Sequence, residues 1–152
     1  IDCMSVHVLS LADAPRPSMN AVSVENDASD CWLDHYCLLN GTHTDNRATL
    51  KKILENIVSP KFFVLLQGED GVAACGMGVL ERGFIGLFNI VVDARVRRQG
   101  FGEQLVLNML NLGRKSGAQQ AYLQVAQHNF PALRLYERIG FKEMYQYWYR
   151  VK

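Results

Sequence analysis

The spacing of apolar and polar positions changes several times along this 152-residue chain. In DCWLDHYCLL (30–39), apolar residues return at 32, 33, 36 and 37, the spacing of one helix face. Ser29 or Asp30 is placed to cap it. Leu50, Ile53, Leu54 and Ile57 predict a second helix over roughly 46–57, opened by Thr44 or Asp45 and ended by Ser59-Pro60. The pattern then shortens. KFFVLLQ (61–67) and Val72–Leu80 read as two strands joined by the turn Gly68-Glu69-Asp70-Gly71. After Arg82-Gly83, FIGLFNIVV (84–92) is almost wholly apolar, as in a central strand buried on both faces. Leu105, Val106, Met109, Leu110 and Leu112 stripe a helix over 102–115, with Gly117 at its left-handed end. AYLQV (121–125) is a strand. Asn129 caps a helix over 131–139 with Pro131 in its first turn and Gly140 beyond it, and 141–152 is a closing aromatic strand.

At the amino end, MSVHVL (4–9) has the look of a short strand, 10–20 reads as a loop or linker, and AVSVE (21–25) alternates as a strand. The chain is thus expected to divide into an N-terminal strand and linker, 1–20, and one domain, 21–152. The domain's order, β-α-α-β-β-β-α-β-α-β, predicts an α/β fold on a mixed sheet. That sheet is antiparallel through the hairpins and parallel where helices cross over.

Composition narrows the function. Net charge is +1 and a fifth of the residues are charged, which argues against a nucleic-acid binder. No apolar run approaches the ~20 residues of a membrane span. The start has neither the basic region nor the apolar core of a signal peptide. It opens on Ile1, as a trimmed chain or a piece of a longer one would. Cys3, Cys31, Cys37 and Cys75 form no metal-binding spacing; scattered thiols suit buried small residues and a cytoplasmic setting.

The chemistry concentrates in RRQGFGEQL (97–105), which follows an apolar strand and leads into a helix. The first N–H groups of a helix lack internal partners, and the helix dipole adds positive potential there. Gly100 and Gly102 leave that backbone bare, and Arg97 and Arg98 add charge, so the turn suits an anion such as phosphate. It is not a P-loop, which needs Lys-Ser/Thr after its second glycine, nor the three-glycine dinucleotide fingerprint. A tight turn with solvated arginines remains the plain alternative.

Arg97-x-x-Gly100-x-Gly102 matches the Arg/Gln-x-x-Gly-x-Gly/Ala element of the GNAT acetyltransferase superfamily. Asn129, Ala132, Leu135, Tyr136, Gly140 and Phe141 match its Asn-x-x-Ala-x-x-Leu-Tyr-x-x-x-Gly-Phe element. Residues 84–141 carry the resemblance; the first 60 match only in element order. The resemblance implies the GNAT fold and acetyl-CoA as cosubstrate. Its pyrophosphate would sit on the amides of Arg98, Gln99, Gly100, Phe101, Gly102 and Glu103, and its amide-bearing arm beside the backbones of Ile90 and Val92. Asn129 would reach that arm, or simply cap its helix. Tyr136 would give a proton to the departing sulfur, against the plain reading of a core aromatic. Many relatives that acetylate protein α-amino groups carry Leu-Glu-Val before the Asn, where this chain has Leu123-Gln124-Val125, and a neutral amide is no base.

Asn89 could hold a water, Glu81 stands near a strand end, and His128 lies beside Asn129. Tyr145, Tyr147 and Tyr149 alternate with Gln146, Trp148 and Arg150, one face expected in the core and the other at a pocket or dimer interface. Trp32, Asp34, His35 and Tyr36 lie on the helix that borders the acceptor side in such folds. The expected activity is acetyl transfer to a primary amine of a small, amino-acid-like molecule by direct attack in a ternary complex. A protein amine, or a CoA-binding module without catalysis, are the alternatives. A homodimer stays open. A nucleotide-binding Rossmann-like domain fits poorly, because two helices precede the hairpins.

Overall fold

A computed structural model describes residues 2–19, 21–41 and 46–149. One sheet of seven strands organises them, in the order β2-β3-β4-β5-β6-β1-β7. The strands are β1 (Asp2–Ser10), β2 (Val22–Glu25), β3 (Lys61–Gly68), β4 (Gly71–Glu81), β5 (Phe84–Val92), β6 (Gln120–Ala126) and β7 (Lys142–Tyr149). The helices are α1 (Asp30–Asn40), α2 (Arg47–Glu55), α3 (Phe101–Lys115) and α4 (Phe130–Ile139). The mixed sheet expected from the sequence is present. All strand pairings are antiparallel except β5 with β6, which α3 joins as a crossover.

Local chemistry explains the helix ends. The Ser29 hydroxyl accepts the Trp32 N–H, and Gly41 closes α1 at φ +70°. At the end of α3, Gly117 N–H bonds Arg114 O and Ala118 N–H bonds Gly113 O around Gly117 at φ +92°, the paired closure that a left-handed glycine permits. Asn129 caps α4 by accepting the Ala132 N–H. Thr44 and Asp45, expected to start α2, lie outside the described residues; Asn46 occupies the cap position.

Two cores sandwich the sheet. α1 and α2 cover one face with Trp32, Leu33 and Leu54 against Phe63, Leu65 and Met77. Trp32 is 1% exposed, meets Phe63 edge-on and donates Nε1–H to Val64 O, so its polar atom is satisfied. The other face buries Leu105, Val106, Met109 and Leu110 of α3, with Tyr136 and Ile139 of α4.

The chain's first twenty residues differ from the sequence expectation. β1 is not an appendage: it lies between β6 and β7 and pairs with both. The sheet therefore holds one strand more than the predicted order counts. Ser5, Val6, His7 and Leu9 are buried there, and the Ser5 hydroxyl is 2.8 Å from His7 Nε2. The stretch read as a linker is strapped across α3. Arg114 donates to Leu11 O and Ala14 O, Asn108 Nδ2 to Met19 O, and Gln104 Oε1 accepts the Ser18 and Met19 amides. β7 also departs from expectation. As an edge strand it buries neither face: Met144, Tyr145 and Trp148 are all exposed. Arg150 and the residues after it lie outside the described chain.

Candidate functional site

The site starts from a fault in β5. Met77 pairs with Phe88 but Cys75 with Val91, so Asn89 and Ile90 together oppose Gly76. This is a bulge, and Asn89 sits at φ +54°, a conformation in which Asn is among the least strained side chains. The bulge bends β5 away from its neighbour. The β5–β6 ladder stops at Leu87 and Leu123, and beyond it the two strands part. A cleft of about 380 Å³ opens there. Asn89, Ile90, Asn129 and Tyr136, four residues that the sequence put forward, line it together with Gln124 and Met4. Every described side chain lining it is uncharged. Asn89→Ala is expected to cost about 1 kcal/mol in urea unfolding and Asn89→Gly far less, because only the former forces a Cβ-bearing apolar residue into the left-handed region.

Tyr136 is 8% exposed and packs edge-on against Phe141. Burial pushes its phenol up to about 12, so it carries its proton throughout the neutral range. The core reading and the cleft reading both apply to it: its ring is packed and it also reaches the cleft. Asn129 likewise both caps α4 and lines the cleft.

The glycine turn follows β5 directly. Asp93 is buried, accepts Arg95 N–H and holds the Arg95 guanidinium at 2.8 Å; those hydrogen bonds keep its carboxyl below the usual range. This pair sets the short 3-10 turn Ala94–Val96, and the sequence reading passed over it; an Asp followed two residues later by Arg was the signal. Arg98 then takes φ +68° and Gly100 φ +85°. Among the described residues, the N–H groups of Arg98, Gln99, Gly100, Phe101, Gly102 and Glu103 donate to no protein acceptor, and no side chain caps α3. An added Cβ on Gly102 would lie 3.2 Å from Val92 Cγ2 and 3.6 Å from Leu135 Cδ2. The turn is thus pressed against β5 and against α4, the helix that carries Tyr136. Arg138 of α4 reaches Glu103 at 3.3 Å. Arg97, Arg98, Gln99 and Gly100 are exposed, while Phe101 packs on the core.

Other candidates fall elsewhere. Val92 is not in the cleft lining; it supports the start of α3. Glu81 lines a separate pocket of about 410 Å³ under the Arg82-Gly83 turn, which holds none of the residues put forward for the cofactor. His128 is exposed in the turn before α4 and does not line the cleft. Cys75 is fully buried, its thiol pushed up to about 12 by burial. Trp32 and Tyr36 stack within the α1 core, and Asp34 pairs with Arg47. Tyr147 was legible only as one of three alternating tyrosines; its hydroxyl donates to Gln124 Oε1 at the cleft wall.

Comparison with known proteins gives this geometry its context. The family model for the acetyltransferase (GNAT) family matches residues 22–141. The Bacillus subtilis protein named uncharacterized N-acetyltransferase YobR is 30% identical over 128 residues, 84% of this chain and 52% of its own length. The ribosomal protein bS18-alanine N-acetyltransferase of Escherichia coli K12 is 40% identical over 57 residues, 38% of each chain. The chain spans about half the length, or less, of these relatives. The solved structure of AAC(6′)-Iy with the bisubstrate analog CoA-S-monomethyl-acetylneamine superposes with a TM-score of 0.66 at 14% identity. It covers 88% of this chain and 99% of that one, a likeness of fold alone. With the family model spanning both the bulged strand and the bare-amide turn, this chain belongs to the acetyltransferase (GNAT) family.

Proposed function

We propose that this chain transfers the acetyl group of acetyl-CoA to a primary amine of a small, amino-acid-like molecule, by direct attack in a ternary complex. The family uses acetyl-CoA. The residues fit it: six backbone amides without protein acceptors lie at a helix N-terminus, beside a cleft between parted strands. In this reading the amides from Arg98 to Glu103 hold the diphosphate, Arg97 and Arg98 add positive charge, and the backbones of Ile90 and Val92 run beside the amide-bearing arm. Asn129 offers its side chain to the same arm. When bound, acetyl-CoA supplies an activated acetyl group and a thiolate leaving group.

Tyr136 keeps a proton on Oη at the cleft. A phenol titrating near 12 is a weaker acid than a thiol, whose ordinary value is about 8.5. It therefore acts by hydrogen-bonding the sulfur as charge develops. Two amine protons leave in turn: the ammonium proton passes to solvent before attack, through a water that Asn89 would hold, and the proton released from nitrogen after attack ends on the thiolate. Tyr136→Phe is expected to lower kcat about 100-fold while leaving acetyl-CoA affinity within twofold, measured by steady-state CoA release and calorimetry. An unchanged kcat removes Tyr136 from the chemistry.

The observation that carries the acceptor assignment is the uncharged cleft. Gln124 stands where the protein-directed pattern has a carboxylate, so the cleft offers neither a base nor a charge to a polypeptide tail. CoA release across small amines, amino-acid derivatives and N-terminal peptides tests it. Faster turnover of peptides than of any small amine would favour the protein-amine reading, which the similarity to the ribosomal-protein enzyme keeps as second choice.

A further inference from the structure

We propose that Gln124, held in place by Tyr147, selects the acceptor: it favours an amine bearing a neutral carbonyl oxygen close by over a plain alkylamine. The inference rests on the acetyltransferase reading above and narrows its acceptor to an amine beside a neutral carbonyl, a group that small amino-acid amides and peptide N-termini both carry; the comparison of peptides with small amines above separates those two. Gln124 is the first β6 residue past the last β5–β6 pair, so it stands at the mouth where the strands part. Tyr147 comes from β7. It pairs with Met4 of β1, while Gln124 pairs with Val6, so the tyrosine reaches across β1 to meet the glutamine. Its hydroxyl donates to Gln124 Oε1.

This contact has a direction. With Oε1 engaged, the amide is fixed as a donor through Nε2, which has no protein acceptor among the described residues. Asn129 shows the same polarity, since its Oδ1 accepts the Ala132 N–H. The cleft wall thus presents amide N–H groups and no charge. A neutral carbonyl oxygen satisfies such a donor. Gln124 is exposed at the open cleft, so its Nε2–H leaves water only when an acceptor molecule covers it; a hydrocarbon group of the same shape then leaves the donor unpaired, and a carboxylate enters without a cation to meet it. Tyr147 is a positioning residue here: it acts through Gln124 and does not line the cleft.

The test compares kcat/KM for alaninamide, alanine and 3-methylbutan-2-amine, whose branched hydrocarbon has the shape of the amide. The ratio of alaninamide to the alkylamine is followed in wild type, Tyr147→Phe and Gln124→Leu, so that the difference in amine basicity cancels between proteins. The expected result is a ratio about tenfold lower in both variants, through KM, with acetyl-CoA affinity and unfolding temperature unchanged. A purely structural role would slow both amines alike and leave the ratio flat, which overturns the proposal. So does a wild-type preference for alanine over alaninamide. Should wild type turn over none of the three, calorimetry of alaninamide against the protein–CoA complex decides: no binding overturns it. If acetyl-CoA itself fails to bind wild type, the acetyltransferase reading falls; if acetyl-CoA binds and the ratio is flat, only this inference falls.

Discussion

Replacing Gly102 by valine is expected to abolish measurable binding of acetyl-CoA while leaving the protein folded. The first added carbon lands 3.2 Å from Val92 Cγ2, a crowding that small side-chain movement relieves. The two methyls beyond it are the damaging atoms. Helical side chains lean towards the helix N-terminus, so they cover the amides of Gly100, Phe101 and Gly102. Each hydrogen bond to a charged diphosphate is worth about 1.5–3 kcal/mol, and losing two weakens binding by at least about 100-fold. Gly102→Ala, with only the first carbon, should bind close to wild type, since the family element carries Gly or Ala at this place and the added carbon needs only a small shift of Val92. Calorimetric titration with circular dichroism as the folding control reads the result. A valine variant that binds as wild type does would show that the diphosphate rests elsewhere.

The second large effect concerns β1. A chain lacking residues 1–10 should not fold cooperatively. β6 and β7 run parallel to each other, each pairing antiparallel with β1 and not with one another. Taking β1 away leaves a gap of two strand spacings, about 10 Å. β7 can close it only by moving a full strand width and forming a ladder of the other type. Val6 and Leu9 lose their burial, and Leu123 and Val125 lose a neighbour on the same face. Burial of one such side chain contributes about 1.5–3 kcal/mol, so the combined loss reaches the 5–15 kcal/mol by which whole domains are stable. Urea unfolding followed by circular dichroism checks it. A single sharp transition with a native spectrum would mean that β6 and β7 pair without β1, and that the N-terminal strand is dispensable.

Both predictions separate what was legible in the chain from what was not. The geometry of the turn 97–103 was legible because it depends on residues next to one another: two glycines without side chains over the amides, and a helix start that leaves those amides free. Tyr136 and Asn129 came from the resemblance to the family's Asn-x-x-Ala-x-x-Leu-Tyr element; their spacing alone gave a core aromatic and a helix cap, and both residues also line the cleft. Ile90 and Val92 were put forward through the resemblance, for their backbones; Ile90 lines the cleft, while the Val92 side chain packs against the start of α3. Glu81 and His128 were near the site in sequence but outside the cleft in space.

The sequence by itself determined the helices, the caps at Ser29 and Asn129, the hairpins and the glycine turn, because each rests on side chains within a few residues of the backbone they act on. The tertiary structure alone decided that β1 enters the sheet between β6 and β7, that β7 is an exposed edge, and that the Tyr147 hydroxyl meets Gln124 from 23 positions away. Alternation shows which face of a strand is apolar but carries no record of its neighbour; strand order is chosen by the joint burial of residues far apart in the chain.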